Sequence, residues 1–144
     1  MLVVADASVL VSALADTGPD GQAVRDWMIE LAGSDPVHVV QTLTHLEVVS
    51  SLRKLVGTGR IADADADRAL RGFVQLPMTR HEVTQPMIGR IWEMRGNITP
   101  YDAAYVALVE RLASEHQTDA CLATADAKLA RAPGLSIDIR LFTR

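Results

Sequence analysis

Leu2-Val-Val-Ala-Asp6, running on into Ala7-Ser-Val-Leu-Val-Ser-Ala-Leu-Ala15, decides the fold class. Four apolar residues with no polar alternation describe a strand buried on both faces, and such strands occupy the centre of parallel sheets covered by helices. The following segment reads as a short helix, so the chain opens as strand then helix. Short apolar runs alternate with longer helical patterns from there to the C-terminus, without internal repeats or a low-complexity linker. That rhythm predicts an α/β domain.

Working outward, Asp16-Thr-Gly-Pro-Asp-Gly21 is turn chemistry before a helix carrying Val24, Trp27, Met28 and Leu31, which ends at Gly33-Ser-Asp-Pro36. Val37 to Gln41 is a second strand. Helices are expected from about Leu46 to Val56 and from Ile61 to Phe73, separated by Gly57-Thr-Gly59, with a short third strand from Val74 to Met78. Thr84 with Pro86, and Thr99 with Pro100, announce helices reaching Met94 and about His116. Ala120 to Thr124 is a fourth strand, about Asp126 to Ala130 a short helix, and Ser136 to Phe142 a final strand suited to a sheet edge. Five strands and about seven helices result, with the strands mostly parallel because long crossovers join them. In such sheets ligands gather at the carboxyl ends of the strands.

A chain of 144 residues fits one domain spanning 1–144. Hydrophobic residues at 49% and charged residues at 22% exclude a disordered, collagen-like or disulfide-scaffold protein. Aromatics at 4% argue against stacked aromatic platforms for single-stranded nucleic acid. The net charge of -4 argues against polyanion binding through overall charge, although Arg supplies 12 of the 14 cations and leaves local phosphate-binding patches open. Cys121 is the lone cysteine and lies in an apolar run, which fits a reduced, cytoplasmic protein with a buried thiol. The N-terminus lacks a basic region and is interrupted by Asp6, unlike a signal peptide. The longest stretch free of Asp, Glu, Lys and Arg is Pro36 to Leu46, eleven residues and too short for a membrane span. Dinucleotide, P-loop and α/β-hydrolase glycine motifs are all missing from the sequence.

The carboxylates carry the chemistry. Asp6 ends the first strand and Asp126 lies two residues past the fourth. In Thr44-His-Leu-Glu47 and Thr99-Pro-Tyr-Asp102 an acid stands three residues after a Thr at a helix start, the pattern of a capping box. Each acid alone has a purely structural account, since a cap contributes about 0.5–2 kcal/mol with no catalysis. Together, all four fall at boundaries that a parallel sheet brings to one edge. Carboxylates about 5 Å apart repel by about 3 kcal/mol per pair at an effective dielectric of 20, so such a cluster requires cations or protons. All-oxygen ligation suits Mg²⁺ or Mn²⁺ rather than Zn²⁺, and the chemistry that follows is metal-assisted phosphodiester hydrolysis.

The sequence resembles the PIN-domain ribonucleases, most closely the VapC toxins of toxin–antitoxin pairs. The likeness is carried by Val3-Val-Ala-Asp6-Ala-Ser-Val-Leu10, His45-Leu-Glu47-Val-Val-Ser-Ser-Leu52, Thr99-Pro-Tyr-Asp102-Ala-Ala-Tyr-Val-Ala-Leu108 and Leu122-Ala-Thr-Ala-Asp126-Ala-Lys-Leu129. It implies a three-layer α/β/α sandwich with strand order 3-2-1-4-5, an RNA substrate, a homodimer and a cognate VapB-like antitoxin. By position, Asp6, Glu47, Asp102 and Asp126 match the family's acidic quartet. The resemblance makes Asp6 and Asp102 direct metal ligands, has Asp126 hold or orient the metal directly or through water, and has Glu47 position or activate the attacking water. Ser8 and Thr124 match small hydroxyl positions beside the acids, with helix capping as their plainer role.

Other features have ordinary readings. Asp63-Ala-Asp65-Ala-Asp67 reads as a solvated helix start, since alternate helical residues diverge. His38, His45, His81 and His116 lack paired ligand spacing, and Trp27 and Trp92 suit core or dimer packing. The rival reading for the whole chain is a non-catalytic binding or regulatory module whose acids cap helices. A receiver or haloacid-dehalogenase-like phosphatase is a third, and its signatures do not occur in the sequence.

Overall fold

The computed structural model describes residues 1–31 and 33–143. Its elements run β1 (Leu2–Ala5), α1 (Ala7–Ala15), α2 (Pro19–Leu31), β2 (Val37–Val40), α3 (Leu43–Gly57), α4 (Asp63–Gln75), β3 (Met78–His81), α5 (Gln85–Glu93), α6 (Pro100–His116), β4 (Ala120–Thr124), α7 (Ala127–Ala130) and β5 (Asp138–Leu141). The five strands form one parallel sheet in the order β3-β2-β1-β4-β5. β1 is central, pairing Leu2 with Ala120 and Ala5 with Ala123 on one side and Val4 with His38 on the other.

Alternation across the pleat sorts the strand residues into two cores. Val3, Ala5, Val37, Val39, Cys121 and Ala123 face one layer, where they meet Leu10 of α1, Val24 of α2, Leu52 of α3 and Phe73 of α4. Val4, Val40, Ala120 and Leu122 face the other, with Met87 of α5, Tyr105 and Leu108 of α6 and Leu129 of α7. The result is the expected α/β/α sandwich. α6 packs against β1, β2 and β4 as well as α5, so the seven consecutive residues Ala103 to Val109 are all buried. Among the described residues no helix is long and apolar enough to cross a membrane.

Among the boundaries that depart from the sequence expectation, three have a clear local cause, while α4 shifts by two residues to Asp63–Gln75 and the last strand shortens to Asp138–Leu141. α2 begins at Pro19, inside the predicted turn, because proline at the first helical position loses no hydrogen bond and has its φ already set. A Cβ at Gly21 would collide with the Asp16 carbonyl, so α2 packs this closely on the loop only with glycine there. The third strand is Met78–His81 rather than Val74 to Met78. Val74 continues α4 with its side chain 65% exposed, and the break falls at Leu76, which the following Pro77 holds extended at φ -63, ψ 132. α3 starts at Leu43, three residues early, after Thr42 takes a positive φ of 69°.

Candidate active site

Asp6 leaves β1 at its carboxyl end and caps α1, accepting the Val9 amide at 3.1 Å. It is 6% exposed, a burial that an ionised carboxylate tolerates only when well bonded. The Ser8 hydroxyl donates to Oδ1 at 2.5 Å and the Thr124 hydroxyl donates to Oδ2 at 2.5 Å. Ser8 Oγ in turn accepts the Ala125 amide at 2.8 Å, and Thr124 Oγ1 accepts the Asp126 amide at 3.0 Å. The two hydroxyls therefore join the end of β4 to the β1–α1 junction and are not helix caps, which corrects the plainer expectation for them. Three donors leave the Asp6 carboxylate with an unused lone pair, on Oδ2.

Glu47 lies one turn into α3. Because that helix begins at Leu43, Thr44 is an interior residue rather than an N-cap, and the predicted capping box with Glu47 does not form. Thr44 Oγ1 instead accepts the Val40 amide at 3.1 Å and lies 3.0 Å from the Tyr105 hydroxyl. Tyr105 donates to Glu47 Oε1 at 2.6 Å. Asp102 sits in the first turn of α6, whose N-cap Thr99 accepts the Asp102 amide at 3.2 Å as expected. Asp126 caps α7, its Oδ1 accepting the amides of Lys128 at 2.9 Å and Leu129 at 3.3 Å.

These segments converge. Asp6, Glu47, Asp102 and Asp126 line one cavity of about 120 Å³ together with Ala7, Ser8, Ser51 and Tyr105, a lining that contains no cation. Burial pushes the Asp6 carboxyl above its ordinary value against the pull of Ser8, Thr124 and the Val9 amide, and the charge of Asp126 adds to the rise. Burial likewise raises Glu47, opposed by the Tyr105 hydroxyl and reinforced by Asp102 and Asp6. Asp102 is raised by burial and by Asp126, with the Thr99 hydroxyl opposing. Three acids thus resist ionisation partly because of each other, which is the electrostatic condition for recruiting a positive charge. Among the described residues no three of these groups converge closely enough to grip an ion unaided. An open, all-oxygen arrangement of this kind suits a hard divalent ion, which keeps waters among its ligands.

A second cavity, of about 840 Å³, opens between α1, α3 and α4 and shares Ser8 and Ser51 with the acid cavity. Elsewhere the ordinary readings hold for several residues. Asp65 accepts the Ala62 amide at 3.2 Å and pairs with Arg68 at 3.1 Å at the start of α4. His45 packs edge-on against Phe73 at 5.2 Å, and Trp27 lies tilted against Phe142 at 4.9 Å. Trp92 is 66% exposed, with Arg95 stacked on its ring at 4.4 Å, so of its two readings, core or dimer packing, the core one does not hold. Sequence reasoning missed the roles of Thr44 and Tyr105. The available signal was spacing, since Tyr105 follows Asp102 by three residues and so shares its helix face.

A family model described as PIN domain matches residues 3–135, and the chain belongs to that family. Among its relatives are VapC ribonucleases. Ribonuclease VapC9 of Mycobacterium tuberculosis is 38% identical over 128 residues, covering 89% of this chain and 88% of that one. Ribonuclease VapC1 of the same organism is 35% identical over 138 residues, 96% of each chain. The fold is also that of a chain in the crystal structure of VapBC2 from Rickettsia felis bound to a DNA fragment from their promoter, with a TM-score of 0.63 over 99% of both chains at 14% identity.

Proposed function

We infer that this chain is a divalent-metal-dependent endoribonuclease and the toxin component of a toxin–antitoxin pair. The observation that carries the reading is the meeting of Asp6, Glu47, Asp102 and Asp126 from four separate segments around one cavity whose lining includes no Lys or Arg, in a PIN-family chain. Asp6 and Asp102, with Asp126 directly or through water, would hold Mg²⁺ or Mn²⁺, which when bound acidifies a coordinated water and offsets charge on the phosphate. Glu47 orients the attacking water or takes its proton, and cleavage in line leaves 3′-hydroxyl and 5′-phosphate ends. Ser8 and Thr124 hold Asp6 in place and favour its ionised form against the effect of burial.

The partner is a VapB-like antitoxin, and residues 1–144 act in the cytoplasm as a single PIN-like domain. The larger cavity supports that pairing: Val11, Leu14, Leu55 and Ile61 offer an apolar floor for a helix, and its continuity with the acid cavity gives a following Arg access to the carboxylates. A homodimer gains support from Ile88 and Trp92, one turn apart and exposed on α5.

Purified, antitoxin-free protein is expected to cut mixed cellular RNA in Mg²⁺ or Mn²⁺ and to stop when a chelator is added. Asp6→Asn and Asp102→Asn abolish cleavage while their circular dichroism remains that of the wild type, since each removes one charge from a repulsive cluster. Metal-dependent cleavage retained by both variants contradicts the assignment. The non-catalytic module is favoured by one observation, that Asp6 and Asp126 each cap a helix. It predicts a wild type that cuts no RNA at any metal concentration.

A further inference from the structure

We propose that Tyr105 is a positioning residue for Glu47, the last link in a one-way hydrogen-bond relay that runs from the Val40 amide through Thr44 and holds one carboxylate oxygen in place. The relay is short and complete: Val40 N–H to Thr44 Oγ1 at 3.1 Å, Thr44 Oγ1 to the Tyr105 hydroxyl at 3.0 Å, and Tyr105 to Glu47 Oε1 at 2.6 Å. Tyr105 has a single hydrogen and donates it to Glu47, so the hydrogen between Thr44 and Tyr105 must come from Thr44, whose oxygen accepts the Val40 amide. Reversing the chain would leave the Thr44 hydrogen without an acceptor in it, so the relay has a polarity, and that polarity favours an ionised Glu47.

Location makes this more than a core hydrogen bond. Thr44 is 0% exposed and Tyr105 1% exposed, yet Tyr105 and Glu47 both line the acid cavity. The relay ties the end of β2, the start of α3 and the second turn of α6 to one carboxylate oxygen, and among the described residues no hydrogen bond reaches Glu47 Oε2, which is left for the reaction. A neutral donor also suits this site. Arg or Lys in the same place would hold Glu47 as firmly but would add a positive charge where the acids must bind a metal ion. Burial, and then the bond to Glu47, keep the phenol protonated well past neutrality, so Tyr105 serves as a donor throughout.

The activity arm of the test rests on the nuclease reading; the spectroscopic arm does not. Tyr105→Phe, which removes one oxygen from a buried ring, lowers kcat about 10–100-fold with KM little changed and the fold intact. Tyr105→Phe combined with Glu47→Gln is no slower than Glu47→Gln alone, because both act on the same carboxylate. Thr44→Val gives a smaller loss, most of which Thr44→Ser restores. In the proton NMR spectrum the wild type shows a protected, downfield Tyr105 hydroxyl resonance that disappears in Tyr105→Phe and moves upfield in Glu47→Gln. Unchanged kcat in Tyr105→Phe, or a hydroxyl resonance indifferent to Glu47→Gln, overturns the relay. A wild type that shows the Glu47-dependent resonance but cuts no RNA overturns only the nuclease reading.

Discussion

Asp6 concentrates the site's physics in one side chain, because its burial is tolerated only through the donors around it. Ser8 and Thr124 lie 116 residues apart in sequence, yet both reach this carboxylate and their oxygens stand 3.3 Å from each other. Hydrogen bonds to a charged group contribute more than neutral ones, so Thr124→Val is expected to cost about 1.5–3 kcal/mol in urea unfolding. The same substitution leaves Asp6 misoriented and lowers cleavage about 10–100-fold. Ser8→Ala acts similarly and also strands the Ala125 amide. If either variant kept both stability and rate, the hydroxyls would have no part in holding Asp6.

At the scale of elements, the caps show how much of this molecule was legible in its sequence. Thr99-Pro-Tyr-Asp102 announces α6 correctly because proline at the helix start and a hydroxyl cap act locally. Thr99→Ala is expected to cost about 1 kcal/mol, measured as a lower denaturation midpoint at unchanged slope. Thr44-His-Leu-Glu47 carries the same letters but a different structure. Its hydroxyl is claimed by Val40 and Tyr105, a contact across 61 residues that no local pattern encodes. The misplaced third strand has a different, local cause: Val74 is apolar enough for a strand, while Pro77, three residues on, sets where the helix stops. The central place of β1 was legible in its unbroken apolarity, which put Asp6 at the carboxyl edge where the other three acids were expected to fall, whereas the full strand order came only with the family resemblance. The hydroxyls and Tyr105 were not legible, because their partners come from distant elements.

For the whole molecule, the acid cavity makes stability depend on pH and on cations. Asp6, Glu47 and Asp102 titrate above their ordinary values of 3.8, 4.5 and 3.8 when folded. Between those values and the raised ones the folded state holds more protons than the unfolded chain, so this contribution to stability falls as pH rises through that window. His38, His45 and His81, pushed down from 6.5 chiefly by burial, act oppositely: stability is lost as pH falls below that value. Comparing variants separates the two. The stability of Asp102→Asn relative to wild type should rise from acid to neutral pH in metal-free buffer, and a flat difference would mean Asp102 is not strained by its neighbours.

The most direct test of the account is calorimetric titration of the metal-free protein with Mn²⁺ at neutral pH, wild type beside Asp6→Asn and Asp102→Asn. The account predicts saturable binding by the wild type that is lost or greatly weakened in both variants. Absence of binding in the wild type, or equal binding in all three proteins, would contradict it and leave the four acids as helix caps and core contacts.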